Sequence, residues 1–239
     1  MFWKVFLPVS LLAGLIHGIT GFGAGIVVMI ALTQFYPVRE GAGMSALILL
    51  GMIVLMVIRY RKEIRVRQAV LPAVPYVLCS ALAIRLSGAI DAGIMKRALG
   101  AFLLVLSVYE LFIAGKGEKR EIGTAGSFAI VAVAGVFEGL FSIGGPLMVI
   151  YFLQRTEDTR EYLGTLQFFF LIITVCNTAL RVAEGILRPE HFPVIALCCA
   201  GVAAGSLIGG LVVDRLDQKV LRRITYAAIG LAGLYYLIA

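Results

Sequence analysis

Charge is what this sequence has least of. Asp, Glu, Lys and Arg make up 15% of the 239 residues, 61% are hydrophobic, and mean hydropathy is +0.99. An ordinary soluble domain of this composition would leave most of its apolar surface in water, so that class is excluded. Cys79, Cys176, Cys198 and Cys199 all lie in apolar stretches, at spacings that fit no zinc or redox motif, so packing is their expected role. No nucleophile–base motif, metal-ligand cluster or phosphate loop is present, which argues against an enzyme and against any cofactor or metal. No small-residue cleavage site follows Met1-Phe2-Trp3-Lys4, so a cleavable signal peptide is not expected.

The charge that is present is mostly basic, with a net of +7. Clusters such as Arg59-Tyr60-Arg61-Lys62 and Arg65-Val66-Arg67 lack the aromatic-rich surface of a nucleic-acid binder. They read instead as positive-inside loops facing anionic lipid. Between them lie eight apolar segments, about 5–36, 41–58, 68–90, 94–114, 124–154, 162–182, 191–213 and 219–238. The sequence therefore predicts an all-α polytopic membrane protein.

The first and fifth segments are too long for simple spans. Thirty or more residues would make a helix of about 45–50 Å, against a hydrocarbon core of about 30 Å. Both carry glycine clusters at mid-length, which open a helix at about 1 kcal/mol per glycine. In the first, Gly14, Gly18, Gly21, Gly23 and Gly25 fall within a run from Val5 to Val38 that has no charged residue. In the fifth, Gly135, Gly139 and Gly144 repeat Gly14, Gly18 and Gly23 at an offset of 121, and His17 falls on Glu138. The same offset aligns Gly43 with Gly164 and Pro72 with Pro193. After an insertion of five residues, Asp91 aligns with Asp217 and Tyr109 with Tyr235. Two repeats follow, each a broken segment plus three transmembrane helices. Repeat 1 covers 1–115, a cytoplasmic linker 116–123, and repeat 2 124–239.

Loop charge bears on orientation. If the broken segments cross the membrane once, the 21 Lys and Arg residues split evenly between the two sides. If they enter and leave on one side, Lys4, Arg39, Arg85, Lys96, Arg97, Arg181 and Arg188 face fourteen on the other. The biased split is what positive-inside loops require, so re-entrant hairpins and inverted repeats are expected.

At Gly21-Phe22-Gly23-Ala24-Gly25 and Ser142-Ile143-Gly144-Gly145-Pro146 the chain resembles the sulfite exporter TauE/SafE family of bacterial membrane proteins. Glycine motif, repeat length and the basic loop after the second helix agree over essentially the whole chain. The resemblance implies a multi-pass protein of the bacterial inner membrane that exports sulfite or organosulfonates. The first motif departs from the second in lacking the proline of Gly144-Gly145-Pro146.

The residues themselves also point to an anion. A hairpin whose second arm starts at mid-membrane exposes unpaired N–H groups and about half a positive charge there. Two such ends would make a backbone anion cradle around Thr20, Gly21, Phe22, Gly23 and Gly25 in one half and Ser142, Ile143, Gly144 and Gly145 in the other. Thr20 and Ser142 could add hydroxyl donors. The alternative is that these glycines only allow close helix packing, the reading preferred for Gly201, Gly205 and Gly209. Glu138, with His17 as its partner, is the candidate for carrying a proton against the anion; otherwise the two only bond the loosened backbone. Gln167, Thr174 and Asn177 share one face of the sixth segment, as cavity wall or as helix–helix bonds, and Arg181 follows as an anion contact or a snorkelling interfacial residue. Arg85 has the same two readings. The expected function is thus a secondary transporter of small sulfur-containing anions, by export and with proton coupling. A passive anion channel, or a carrier of another small organic anion, is the rival, and a homo-oligomer is allowed.

Overall fold

Every long apolar run is helical, as it must be where backbone polar groups have no water to bond. The computed structural model describes residues 3–20, 23–113, 123–156, 158–212 and 218–238, and these contain no strand. Gly21, Phe22, Asp217 and residues 116–122 of the expected linker lie outside the described residues, as does the side chain of Thr20.

Ten α-helices are described: α1 (Trp3–Thr20), α2 (Ala24–Leu32), α3 (Val38–Arg59), α4 (Val66–Leu86), α5 (Ala92–Val108), α6 (Thr124–Phe141), α7 (Gly145–Leu153), α8 (Thr159–Ala183), α9 (Phe192–Val212) and α10 (Gln218–Ile238). Four stretches, Val38–Arg59, Val66–Ala89, Arg160–Ala183 and Pro189–Gly209, are long and apolar enough to cross a bilayer, and shorter apolar helices accompany them. This is the architecture of a multi-pass membrane protein.

The two overlong segments are each broken where glycine clusters. The first divides into helices of 18 and 9 residues, and so does the fifth. Each short helix folds back along its long one. Phe6 at the start of α1 meets Phe35 beyond the end of α2, with ring centroids 5.2 Å apart. Arg155 beyond the end of α7 donates to Ser127 Oγ near the start of α6 at 2.7 Å.

Contacts at the helix ends give the directions. Arg65 pairs with Glu161 where α4 and α8 begin, and Arg85 with Glu184 where they end, so these two helices run parallel. Tyr60 at the end of α3 lies against Gly164 near the start of α8, and Gly43 near the start of α3 lies against Leu187 beyond the end of α8. Hence α3 and α8 are antiparallel. So are α5 and α10, since Gly100 packs on Gly233 and Tyr236 while Ser107 donates to the Tyr226 carbonyl. One end of the bundle gathers Phe6, Tyr36, Arg39, Ser87 and His191. The other gathers Tyr60, Arg65, Ser127 and Arg155. The hairpins α1–α2 and α6–α7 therefore open at opposite ends.

Each hairpin has its own apolar cluster, one among α1, α2, α3 and α9, the other among α4, α6, α7 and α8. A third cluster joins α5 and α10 to Phe141 and Ile143 at the second break. Close helix approach depends on small residues, because lipid supplies no hydrophobic drive between helices. As expected, Gly201, Gly205 and Gly209 face α1, at Ser10, Leu11 and Leu15. A Cβ on Gly205 would collide with the Leu11 carbonyl. Gly205→Leu should lower stability by about 1–3 kcal/mol through overpacking, measurable as a lowered thermal unfolding midpoint in detergent.

Candidate functional site

The break in the first segment turns on Gly23, which has φ +92° and so a left-handed conformation that disfavours a side chain. Ser142 makes the second break with φ 55°, costing about 1 kcal/mol or more for a residue with a Cβ. Three bonds hold it there. Its backbone N–H donates to Glu138 O at 2.8 Å, its hydroxyl donates to Ala42 O at 2.7 Å, and its Oγ accepts from Arg181 Nη2 at 3.4 Å. The Ser142 hydroxyl proton is thus committed to α3, and the residue fixes the break rather than offering the free donor expected from sequence. In the first half, Ser45 Oγ donates to Gly25 O at 3.2 Å, again tying α3 to a break.

Between the breaks lies a cavity of about 100 Å³, room for a few waters or a small oxyanion. Its walls come from both hairpins and from α3 and α8. The lining residues pair at the offset of 121: His17 with Glu138, Gly25 with Pro146, Ala46 with Gln167, Leu49 with Phe170, Met52 with Ile173, and Ile53 with Thr174. Gly23, Ser142, Ile143 and Gly145 complete the polar and backbone part of the surface. Chemically the two halves differ. The α3 wall is apolar, whereas α8 contributes Gln167 and Thr174.

Glu138 is a working part of the second break. Its Oε2 accepts the Gly144 N–H at 3.0 Å and the Tyr76 hydroxyl at 3.4 Å. A carboxylate there also faces the positive end of α7. His17, its counterpart, has neither ring nitrogen bonded among the described residues, and both nitrogens are buried. Gln167, 3% exposed, and Thr174, 6% exposed, bring polar side chains to the same cavity wall. A mostly apolar cavity with a few convergent polar groups is a candidate ligand site.

Two expected wall residues stand elsewhere. Asn177 does not line the cavity; its Oδ1 accepts from Ser80 Oγ at 2.8 Å, joining α8 to α4. Arg181, 1% exposed, neither snorkels nor lines the cavity. Its Nη2 donates to the carbonyls of Gly139 at 2.7 Å and Glu138 at 3.2 Å, and its Nη1 to Arg39 O at 3.4 Å. It caps the last turn of α6, adding a side-chain donor to two of its final carbonyls. Taking it out of the loop count leaves six basic residues against fourteen, so the bias persists. Arg85 forms the exposed ion pair with Glu184 and does not line this cavity. The sequence reading missed Tyr76, and with it the α3 wall. The offset of 121, applied to Gln167 and Thr174, would have pointed to Ala46 and Ile53.

Long apolar helices around a small cavity, set where the chain breaks, define a multi-pass membrane protein. The chain belongs to the sulfite exporter TauE/SafE family, whose model matches residues 6–236. At the family level the function is export of anions of the sulfite and sulfonate type. No curated protein and no solved structure matches the chain.

Proposed function

We propose that this protein is a secondary transporter that exports a small sulfur-containing anion across the bacterial inner membrane, coupled to protons through Glu138 with His17 as partner. The observation that carries this reading is the cavity lined by paired positions of both hairpins. It supports a duplicated chain whose halves share one site. The antiparallel course of α3 with α8 and of α5 with α10 supports inversion, and the hairpins opening at opposite ends support re-entrant segments. In this arrangement α2 and α7 begin at the cavity, at Ala24 and Gly145, and their first N–H groups have no helical acceptor. They receive the anion's oxygens, while Gln167 and Thr174 orient it. Rocking of one hairpin against the other would expose the site to each side in turn.

Flux of sulfite or methanesulfonate from proteoliposomes, with and without a pH gradient, tests the proposal. Saturable flux accelerated by the gradient is expected. Glu138→Gln should abolish the acceleration while exchange without a gradient continues. Flux that neither saturates nor responds to the gradient would make the protein a passive channel.

A further inference from the structure

We propose that the cavity reads the side of its anion that carries no oxygen: the α3 wall, with Ile53 as the discriminating residue, takes a short apolar tail and disfavours one that bears a hydroxyl. This rests on the cavity being the transport site. The two halves of the lining are related by the offset of 121 but are unequal in chemistry. Gln167 and Thr174 on α8 stand where α3 has Ala46 and Ile53. Leu49 and Met52 continue the α3 side, and Ile26 of α2 extends it. No side chain in that apolar group donates a hydrogen bond, and only the Met52 thioether accepts one, weakly. The Ser45 hydroxyl, on the same helix, is turned to Gly25 O at 3.2 Å and is not part of the lining.

An oxygen turned to this side would give up its water and gain no donor. The SO3 group of a sulfonate keeps its three oxygens on one side of sulfur and presents carbon on the other. Sulfite has the same three oxygens and a lone pair in place of the carbon. Both can therefore direct oxygens to Gln167, Thr174 and the backbone at the breaks while the oxygen-free side meets α3. A sulfonate adds what sulfite lacks, an alkyl tail whose burial against Ala46, Leu49 and Ile53 contributes about 4-fold in affinity per CH2. A cavity of about 100 Å³ keeps that tail short. Glu138 and the helix ends at the breaks act alike on ligands of equal charge and identical head, so they drop out of a comparison of tails.

The test uses the full chain in proteoliposomes, with labelled ethanesulfonate as the transported probe. Unlabelled 2-hydroxyethanesulfonate has the same charge and head and differs by one hydroxyl. It should compete about 10-fold more weakly than unlabelled ethanesulfonate, and methanesulfonate, one CH2 shorter, about 4-fold more weakly. Ile53→Thr places a hydroxyl on α3 where α8 has Thr174, and should narrow the 10-fold gap to about 3-fold. Its oxygen can accept from the ligand even with its own proton given to the helix backbone. Ile53→Val has the shape of threonine without the hydroxyl and should keep the gap; a packing effect would move both variants alike. Equal competition by ethanesulfonate and either analogue in the unmodified protein, with saturable flux, overturns the tail rule alone. So does a gap that is the same in Ile53→Thr and Ile53→Val, or saturable sulfite flux without ethanesulfonate flux. Absence of saturable flux for both anions removes the cavity as transport site and the tail rule with it. The comparison in the unmodified protein needs no variant, so misfolding of either variant leaves it decisive.

Discussion

Arg181→Met is expected to destabilise the protein by about 3–5 kcal/mol, the usual consequence of removing one partner from a buried charged network. The guanidinium is 1% exposed and serves three backbone carbonyls and the Ser142 hydroxyl. Methionine fills much of the volume but donates nothing, so the Gly139 carbonyl loses its donor in the interior and the Glu138 and Arg39 carbonyls each lose one of theirs. The Glu138 carboxylate loses its nearby positive charge at the same time. Arg181→Lys should fall between, because an ammonium keeps the charge without the planar fork that reaches several acceptors. Thermal unfolding of the purified protein in detergent measures both. An unchanged midpoint in Arg181→Met would show that the α6 terminus is held by other contacts.

The second large effect concerns one methyl group. Gly144→Ala should reduce flux by about 100-fold or more and destabilise by about 1–3 kcal/mol. A Cβ on Gly144 would collide with the Tyr76 hydroxyl and crowd the Ala134 carbonyl and Glu138 Cβ. Relief requires the hairpin tip to move, and with it the Gly144 N–H that holds the Glu138 carboxylate at 3.0 Å. The neighbouring glycine is a built-in control. A Cβ on Gly145 would have Phe170 Cζ as its nearest neighbour at 3.5 Å, an ordinary contact, so Gly145→Ala should fold normally. Removing the colliding oxygen in a Gly144→Ala, Tyr76→Phe double variant should recover part of the lost stability. Full flux in Gly144→Ala would mean that the tip is not fixed by this contact.

Much of the site could be reached from sequence because its residues recur at one fixed offset. His17 and Glu138, Gly23 and Gly144 stood out by recurring at one spacing inside charge-free runs. Broken segments followed from length and glycine content, since a helix that overshoots the bilayer and contains five glycines has every reason to unwind. Asn177 and Arg181 show the limit. Helical periodicity places them on a face shared with Gln167 and Thr174, but a face has no neighbour until other helices are packed against it. Asn177 meets α4, and Arg181 meets the end of α6. Tyr76 gave no signal at all, because a tyrosine in an apolar segment is read as packing and its partner lies 62 positions away.

By itself the sequence determined that this is a helical membrane protein with two broken, glycine-rich segments related by a fixed offset. Those are local or one-dimensional properties, set by hydropathy, length and backbone freedom. The tertiary structure alone decided that the two breaks share one cavity and that Ser142 spends its hydroxyl on α3. It also decided that Arg181 is buried behind the wall rather than within it. Each of these depends on which carbonyl or hydroxyl lies within about 3 Å of a given donor, and only the packing of distant segments brings them that close.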